Sequence, residues 1–138
     1  KIAKPKIIFS EIVSSPQFYY DEEGLYPEAS TFMIYGENLK IILAFLNSKI
    51  CTYLFKQFYA GGSLVGKYRY KKSFLLKLPI PYENALKDKE SINHLVDKIQ
   101  THHLTSTEKC IYDEQLEKIV EKLYGFTNEE LEIIKCNY

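Results

Sequence analysis

The sequence predicts a mixed α/β (α+β) fold, a small mixed β-sheet domain followed by C-terminal helices. Three observations carry this. β-branched and aromatic residues crowd the first 35 positions, the apolar spacing turns helical at Asn38, and after Pro81 the chain becomes acidic and helix-forming. At 138 residues the chain fits one domain, or a small domain with an appendage, able to bury a modest core. The expected division is a core over residues 1–82, with strands, two helices and a Gly-rich basic loop, and a helical extension over residues 83–138 packing on it.

The string KIIFSEIV from Lys6 to Val13 is rich in strand formers, and Gln17 to Tyr20 adds a second short strand after Pro16. Asp21-Glu22-Glu23-Gly24 reads as a turn in which Gly24 takes positive φ, and Ser30 to Tyr35 returns as a strand, so that the first third is expected to be a β-meander. Leu39, Ile42, Leu43 and Leu46 recur at helical spacing, with Asn38 placed to cap the helix and Asn47-Ser48 to close it. A second helix is expected from Lys49 to Phe58, then the loop Ala60 to Gly66, which holds three of the six glycines. Leu78-Pro79-Ile80-Pro81 excludes helix, because each proline lacks an N–H and pushes its predecessor out of the α region.

Beyond Pro81, one helix is expected from Ser91 to about His102 and a second from Glu108 to Tyr124. In the second, Leu116, Ile119, Val120 and Leu123 form an apolar stripe and Gly125 suits the position just past the end. Thr127 and Glu130 have capping-box spacing for a short last helix.

The composition is that of a folded chain: 46% hydrophobic and 26% charged, which argues against disorder. Twelve tyrosines and eight phenylalanines stand beside a single methionine and no tryptophan. That methionine is Met33 and residue 1 is Lys, so the sequence reads as a module excised from a longer protein. Net charge is +0, so overall charge steers no partner. Its distribution is uneven: −2 over residues 1–48, +7 over 49–82 and −5 over 83–138.

Cys51, Cys110 and Cys136 are odd in number and widely spaced, with neither a C-x-x-C pair nor a disulfide framework, which reads as reduced thiols and a cytoplasmic location. Cys51 lies in an apolar stretch and reads as a buried structural thiol. Apolar runs such as Ile41 to Leu46 fall far short of the ~20 residues a bilayer span needs, so no membrane partner is expected.

Neither a G-x-G-x-x-G nor a P-loop is present, so a nucleotide-binding fold has no support. No Asp or Glu stands two residues before a Lys, which argues against a metal-dependent nuclease site. His94, His102 and His103 have no third ligand at zinc-site spacing and read as surface residues. The chain is expected to hold no catalytic residue, no metal and no cofactor of its own.

The functional signal lies between Lys49 and Tyr82. Seven cations (Lys49, Lys56, Lys67, Arg69, Lys71, Lys72, Lys77) occur there with no carboxylate, interleaved with Tyr53, Phe55, Phe58, Tyr59, Tyr68, Tyr70, Phe74 and Tyr82. Cations supply salt-dependent attraction to phosphates, tyrosines hydrogen-bond phosphate or stack on bases, and glycines let a loop approach a groove. The candidate DNA-binding residues are Lys49, Lys56, Tyr59, Gly61, Gly62, Lys67, Tyr68, Arg69, Tyr70, Lys71 and Lys72. Lys67, Arg69, Lys71 and Lys72 are expected to share an exposed face beside Gly61-Gly62. The plainer reading makes Phe55, Phe58, Phe74 and half of the tyrosines core and the lysines a solvated face. The acidic stretch from Glu108 to Glu132 reads as a solvated helical face.

Taken in order, Lys4-Pro5-Lys6-Ile7-Ile8, Phe18-Tyr19-Tyr20 with Asp21 and Gly24, Leu46-Asn47-Ser48-Lys49, Tyr59-Ala60-Gly61-Gly62, Tyr68-Arg69-Tyr70-Lys71-Lys72 and Leu78-Pro79-Ile80-Pro81 resemble the TaqI-like C-terminal specificity domain. Leu123-Tyr124-Gly125-Phe126-Thr127 with Glu129-Glu130 is similar to the helical ending of such proteins, and the resemblance runs from Lys4 to Glu132. It implies the target-recognition part of an adenine-specific DNA methyltransferase or a fused type IIG restriction-modification enzyme. It further implies double-stranded DNA as partner and a catalytic methyltransferase domain in the same chain, which uses S-adenosylmethionine and an Asn-Pro-Pro-aromatic motif that does not occur here. The alternatives are a protein-interaction or subunit-docking module without DNA readout, and a fragment of a nuclease site.

Overall fold

The computed structural model describes residues 4–24, 31–58, 68–100 and 103–137. The Ala60–Gly66 loop therefore lies outside the described residues. Among the described residues, five strands and seven helices follow one another: β1 (Lys6–Ser10), β2 (Ile12–Val13), β3 (Tyr19–Asp21), β4 (Thr31–Ile34), α1 (Leu39–Asn47), α2 (Lys49–Phe58), β5 (Tyr68–Arg69), α3 (Lys72–Leu75), α4 (Tyr82–Leu86), α5 (Lys89–Ile99), α6 (Ser106–Tyr124) and α7 (Asn128–Lys135). Strands first and helices after is the α+β arrangement expected from the sequence, and every strand pairing described is antiparallel.

The expected meander is not what forms. Three strands pair in the order β3-β1-β4, and the two-stranded sheet β2-β5 stands apart. The centre goes to β1, whose Ile7 and Phe9 are buried. Ile7 pairs with Tyr20 on one side and Ile34 on the other. A strand with several consecutive apolar residues has most to gain from neighbours on both edges, which displaces the pairing of β3 with β4 that a meander requires. At the end of β1, Lys6 stands opposite Asp21, their side chains form an ion pair at 2.6 Å, and both residues are buried. Asp21 also accepts the N–H groups of Glu23 and Gly24 at 3.2 Å, closing a turn in which Gly24 takes φ +85°.

The outer edge of β3 is closed by side chains. Asn47, the last residue of α1, donates to the carbonyl of Phe18 at 2.8 Å and accepts its N–H at 2.9 Å. Gln100, just past α5, does the same for Tyr20, accepting its N–H at 3.0 Å and donating to its carbonyl at 3.2 Å. Residues two apart on a strand present both backbone groups to the same edge, so the two amides occupy the place of a further strand.

Asn38 does not cap α1 with its side chain. It sits at φ +53°, and its amide donates instead to the Tyr82 hydroxyl at 2.7 Å, tying α1 to the start of α4. The later caps follow the sequence reading: Thr105 with Glu108 and Thr127 with Glu130 form complete capping boxes. The first of these starts α6 at Ser106, two residues before the expected Glu108. Gly125 ends α6 at φ +73°.

One apolar cluster joins the sheet to the helices. Ile7, Phe9 and Phe18 meet Leu43, Phe45, Phe55 and Tyr70, and Ile92, Leu95, Val96, Leu116 and Val120 of the C-terminal helices belong to the same core. α5 and α6 pack on each other and on α1, and α2 packs on α6 and α7. Among the described residues no helix is long and apolar enough to cross a membrane.

Candidate nucleic-acid interface

The candidate residues that the structure describes lie on two pieces of chain, α2 and the segment from β5 to α3. Helix α2 follows Ser48, which terminates α1 and caps α2 at once. Its hydroxyl donates to the carbonyl of Phe45 at 2.7 Å and accepts the N–H of Cys51 at 3.1 Å, and its carbonyl accepts the N–H of Thr52. Leu-Asn-Ser-Lys is thereby explained residue by residue. Leu46 is core, Asn47 pins the strand edge, Ser48 switches one helix into the next, and Lys49 is exposed in the first turn. Lys56 is exposed in the last turn of the same helix.

Tyr59, Gly61, Gly62 and Lys67 lie outside the described residues. The chain is described again at β5, where Tyr68 pairs with Val13 and Arg69 with Ile12. Tyr70 is buried at 3% exposure, which corrects its reading as a DNA contact. Its ring lies 4.6 Å from Phe55, 4.9 Å from Phe18 and 6.4 Å from Phe9, and its N–H donates to the Glu11 carbonyl at 2.7 Å. Aromatic packing of this kind anchors the segment. Period-two alternation then turns Arg69 and Lys71 away from the core, and Lys71, Lys72 and Lys77 are exposed. Leu78 re-enters the core six residues after Lys72.

Arg69 is half-buried, and its Nε is buried with no hydrogen-bond partner. Among the described residues no carboxylate forms an ion pair with Arg69, Lys72 or Lys77, while Lys6, Lys40, Lys109 and Lys135 each hold an acidic partner.

Two other groups with shifted pKa values, Cys51 and Tyr124, lie in the core where α2 meets α6. Cys51 is buried, and burial pushes its thiol up to about 12, far from a nucleophile. Tyr124 beside it is raised by burial too, and its hydroxyl donates to the Pro79 carbonyl at 2.8 Å, which ties the Leu-Pro-Ile-Pro segment to α6. Among the described residues no group of three or more His, Cys, Asp or Glu could hold a metal ion.

A family model described as the TaqI-like C-terminal specificity domain matches residues 2–80. The chain belongs to this family. The match covers the sheet, α1, α2, β5 and α3, and therefore all of the candidate residues. The segment beyond it supplies the TaqI-like domain with polar ties that include Gln100 to β3, Glu117 to the start of α2, and Tyr124 to Pro79, besides Tyr82 to Asn38 and Asp97 to Lys40. Gln100, Glu117 and Tyr124 carry no local sequence signature for these ties. The outlying one, Glu117, belongs to the acidic stretch expected to be a solvated face, yet it is half-buried and its carboxylate accepts the Lys49 N–H at 2.8 Å.

Proposed function

We propose that this specificity domain holds duplex DNA and reads its base edges, positioning a target adenine for methylation by a separate catalytic domain of the same protein. Support comes from family membership and from the segment between β5 and α3. There Tyr70 and Leu78 are anchored in the core, Lys71, Lys72 and Lys77 are exposed between them, and among the described residues no carboxylate forms an ion pair with Lys72 or Lys77. The half-buried Arg69 on β5, with no carboxylate paired to it among the described residues, is the single observation that carries the reading. Its fork is suited to bidentate contact with an acceptor pair such as O6 and N7 of guanine, which an ammonium grips less rigidly.

The division of labour is physically reasonable. Chemistry on a base inside a duplex requires the base to be flipped into a pocket, while another surface keeps hold of the duplex. S-adenosylmethionine and the transfer step belong to the catalytic domain in this reading, and a cytoplasmic setting goes with it.

The test is salt-dependent binding to duplex DNA. Affinity of the 138-residue chain should be weak, roughly 10⁻⁴ to 10⁻⁶ M at physiological salt, and log affinity should fall linearly with log salt concentration. A subunit-docking module has the exposed Phe32, Met33 and Tyr35 in and beside β4 in its favour. It would show no such slope.

A further inference from the structure

The N-terminus of α2 is closed from the far end of the chain. A helix opening with Lys49-Ile50-Cys51 leaves its first N–H groups without intrahelical acceptors, and its first turn contains no acid. Ser48 Oγ satisfies Cys51, and the carbonyl of Ser48 satisfies Thr52. The N–H groups of Lys49 and Ile50 remain. Glu117 of α6 takes both, Oε1 accepting from Lys49 at 2.8 Å and Oε2 from Ile50 at 3.4 Å. Its negative charge also meets the positive end of the helix dipole.

α2 carries the exposed Lys49 and Lys56, and its last residue, Phe58, immediately precedes the segment leading into β5. The seating of α2 therefore governs where these cations stand relative to Arg69 and Lys71. We propose that Glu117 is a positioning residue for DNA recognition: by capping α2 it fixes that helix, and the root of the segment that follows, relative to β5. The proposal rests on the DNA-recognition reading above. Location matters as much as hydrogen bonding. Glu117 acts at the start of a ten-residue helix, beside Lys49, whose charge interacts with its own, and at the far end from Lys56. Such a helix is ~15 Å long, beyond the ~8 Å Debye length at physiological salt, so the charge is largely screened from Lys56.

The experiment compares Glu117→Ala, Glu117→Gln, Glu121→Ala and Val120→Ala in the 138-residue chain. It reads amide hydrogen exchange and binding to a fluorescent duplex at low salt, well below each unfolding midpoint. Glu121 pairs with Lys135 at 2.9 Å and does not cap α2, and Val120 is a fully buried core residue whose truncation lowers stability without touching the cap. In Glu117→Ala, exchange at Lys49, Ile50 and Cys51 should rise about 5- to 30-fold, the range implied by loss of a helix cap. The increase should extend to Phe58 and Tyr70, and duplex affinity should fall. Glu117→Gln keeps Oε1 as an acceptor for Lys49 and should retain most of the affinity, and both control variants should bind like the parent chain. If the parent chain shows no salt-dependent binding, the recognition reading fails and the proposal goes with it. If the parent chain binds and Glu117→Ala binds equally well, or affinity simply follows stability through Val120→Ala, the positioning role alone is overturned.

Discussion

The carboxamide of Asn47 takes both backbone polar groups of Phe18, donating at 2.8 Å and accepting at 2.9 Å, so that a side chain at the end of α1 completes the hydrogen bonding of a strand edge. Truncation to Ala strands a donor and an acceptor next to a buried ring, and Phe18 itself is 5% exposed. Urea denaturation of Asn47→Ala should show a loss of about 1–3 kcal/mol. Asn47→Asp should not restore it, because its second oxygen faces the Phe18 carbonyl in place of a donor. An unchanged midpoint in Asn47→Ala would mean that the edge is not held by this pair.

Lys6 and Asp21 form a buried ion pair at 2.6 Å. Removing one member of such a pair leaves an uncompensated charge in the interior, at a cost of about 3–5 kcal/mol. Asp21→Asn should lose stability on that scale, with Lys6 as the stranded charge. The double variant Lys6→Met/Asp21→Asn should recover part of the loss, which a double-mutant cycle measures directly.

These contacts mark where the sequence was legible and where it was not. Helices α2, α6 and α7 were readable because their signals are local: apolar spacing, Thr and Glu three apart, and a glycine past the end. The helix α3 carries four residues and no period to detect. Strand order was not legible, since the apolar run of β1 favours a central place without saying which strands take its two edges. Asn38 was misread because a left-handed backbone at φ +53° aims its amide at Tyr82 rather than along α1. At the candidate site, the run of cations was visible as composition. The burial of Tyr70 was not, because alternation over a few residues gives two faces without saying which is inner. Asn47, Gln100 and Glu117 bond across 29, 80 and 68 residues respectively, and no local pattern encodes such a tie.

Glu117 should leave a signature in the pH dependence of stability. Burial raises its pKa above the ordinary carboxylate value, against the opposing pull of the Lys49 and Ile50 N–H groups. The folded state therefore binds the proton more tightly than the unfolded chain does. Between the ordinary carboxylate pKa and the raised one, the contribution of this group to stability declines as pH rises and returns on acidification. The difference in melting temperature between the parent chain and Glu117→Gln should follow this slope. Glu130 has the opposite sign, since the Thr127 N–H lowers its pKa and its contribution is lost on acidification. Subtracting the Glu117→Gln profile isolates the first effect from the second.

Cysteine chemistry should divide by burial. Cys110 and Cys136 are exposed, while Cys51 is 1% exposed with its thiol pushed up to about 12. At pH 8 a disulfide reagent should modify the two exposed thiols quickly, and Cys51 only at the rate of unfolding. Fast reaction of all three in the folded protein would contradict the packing of α2 on α6.

The cations from β5 to α3 should divide their work between phosphates and base edges. Lys71 and Lys72 are exposed, whereas Arg69 is half-buried on a strand paired with Ile12, its Nε covered and without an acceptor. A flexible exposed ammonium acts on phosphate as a point charge. Replacing both lysines by Ala should therefore weaken duplex binding similarly on all sequences and flatten the salt slope by about one unit per lost phosphate contact. A guanidinium seated on a sheet has a restricted orientation, as base-edge readout requires. Arg69→Ala in the protein that carries the catalytic domain should relax the choice of methylated site at one base pair, a discrimination of about 1–3 kcal/mol, with little change in the salt slope. Arg69→Lys should not restore it, because the ammonium lacks the planar fork. Sequencing the methylated sites of the variants distinguishes the outcomes. Unchanged sites together with a uniform fall in binding would assign Arg69 to the phosphate backbone.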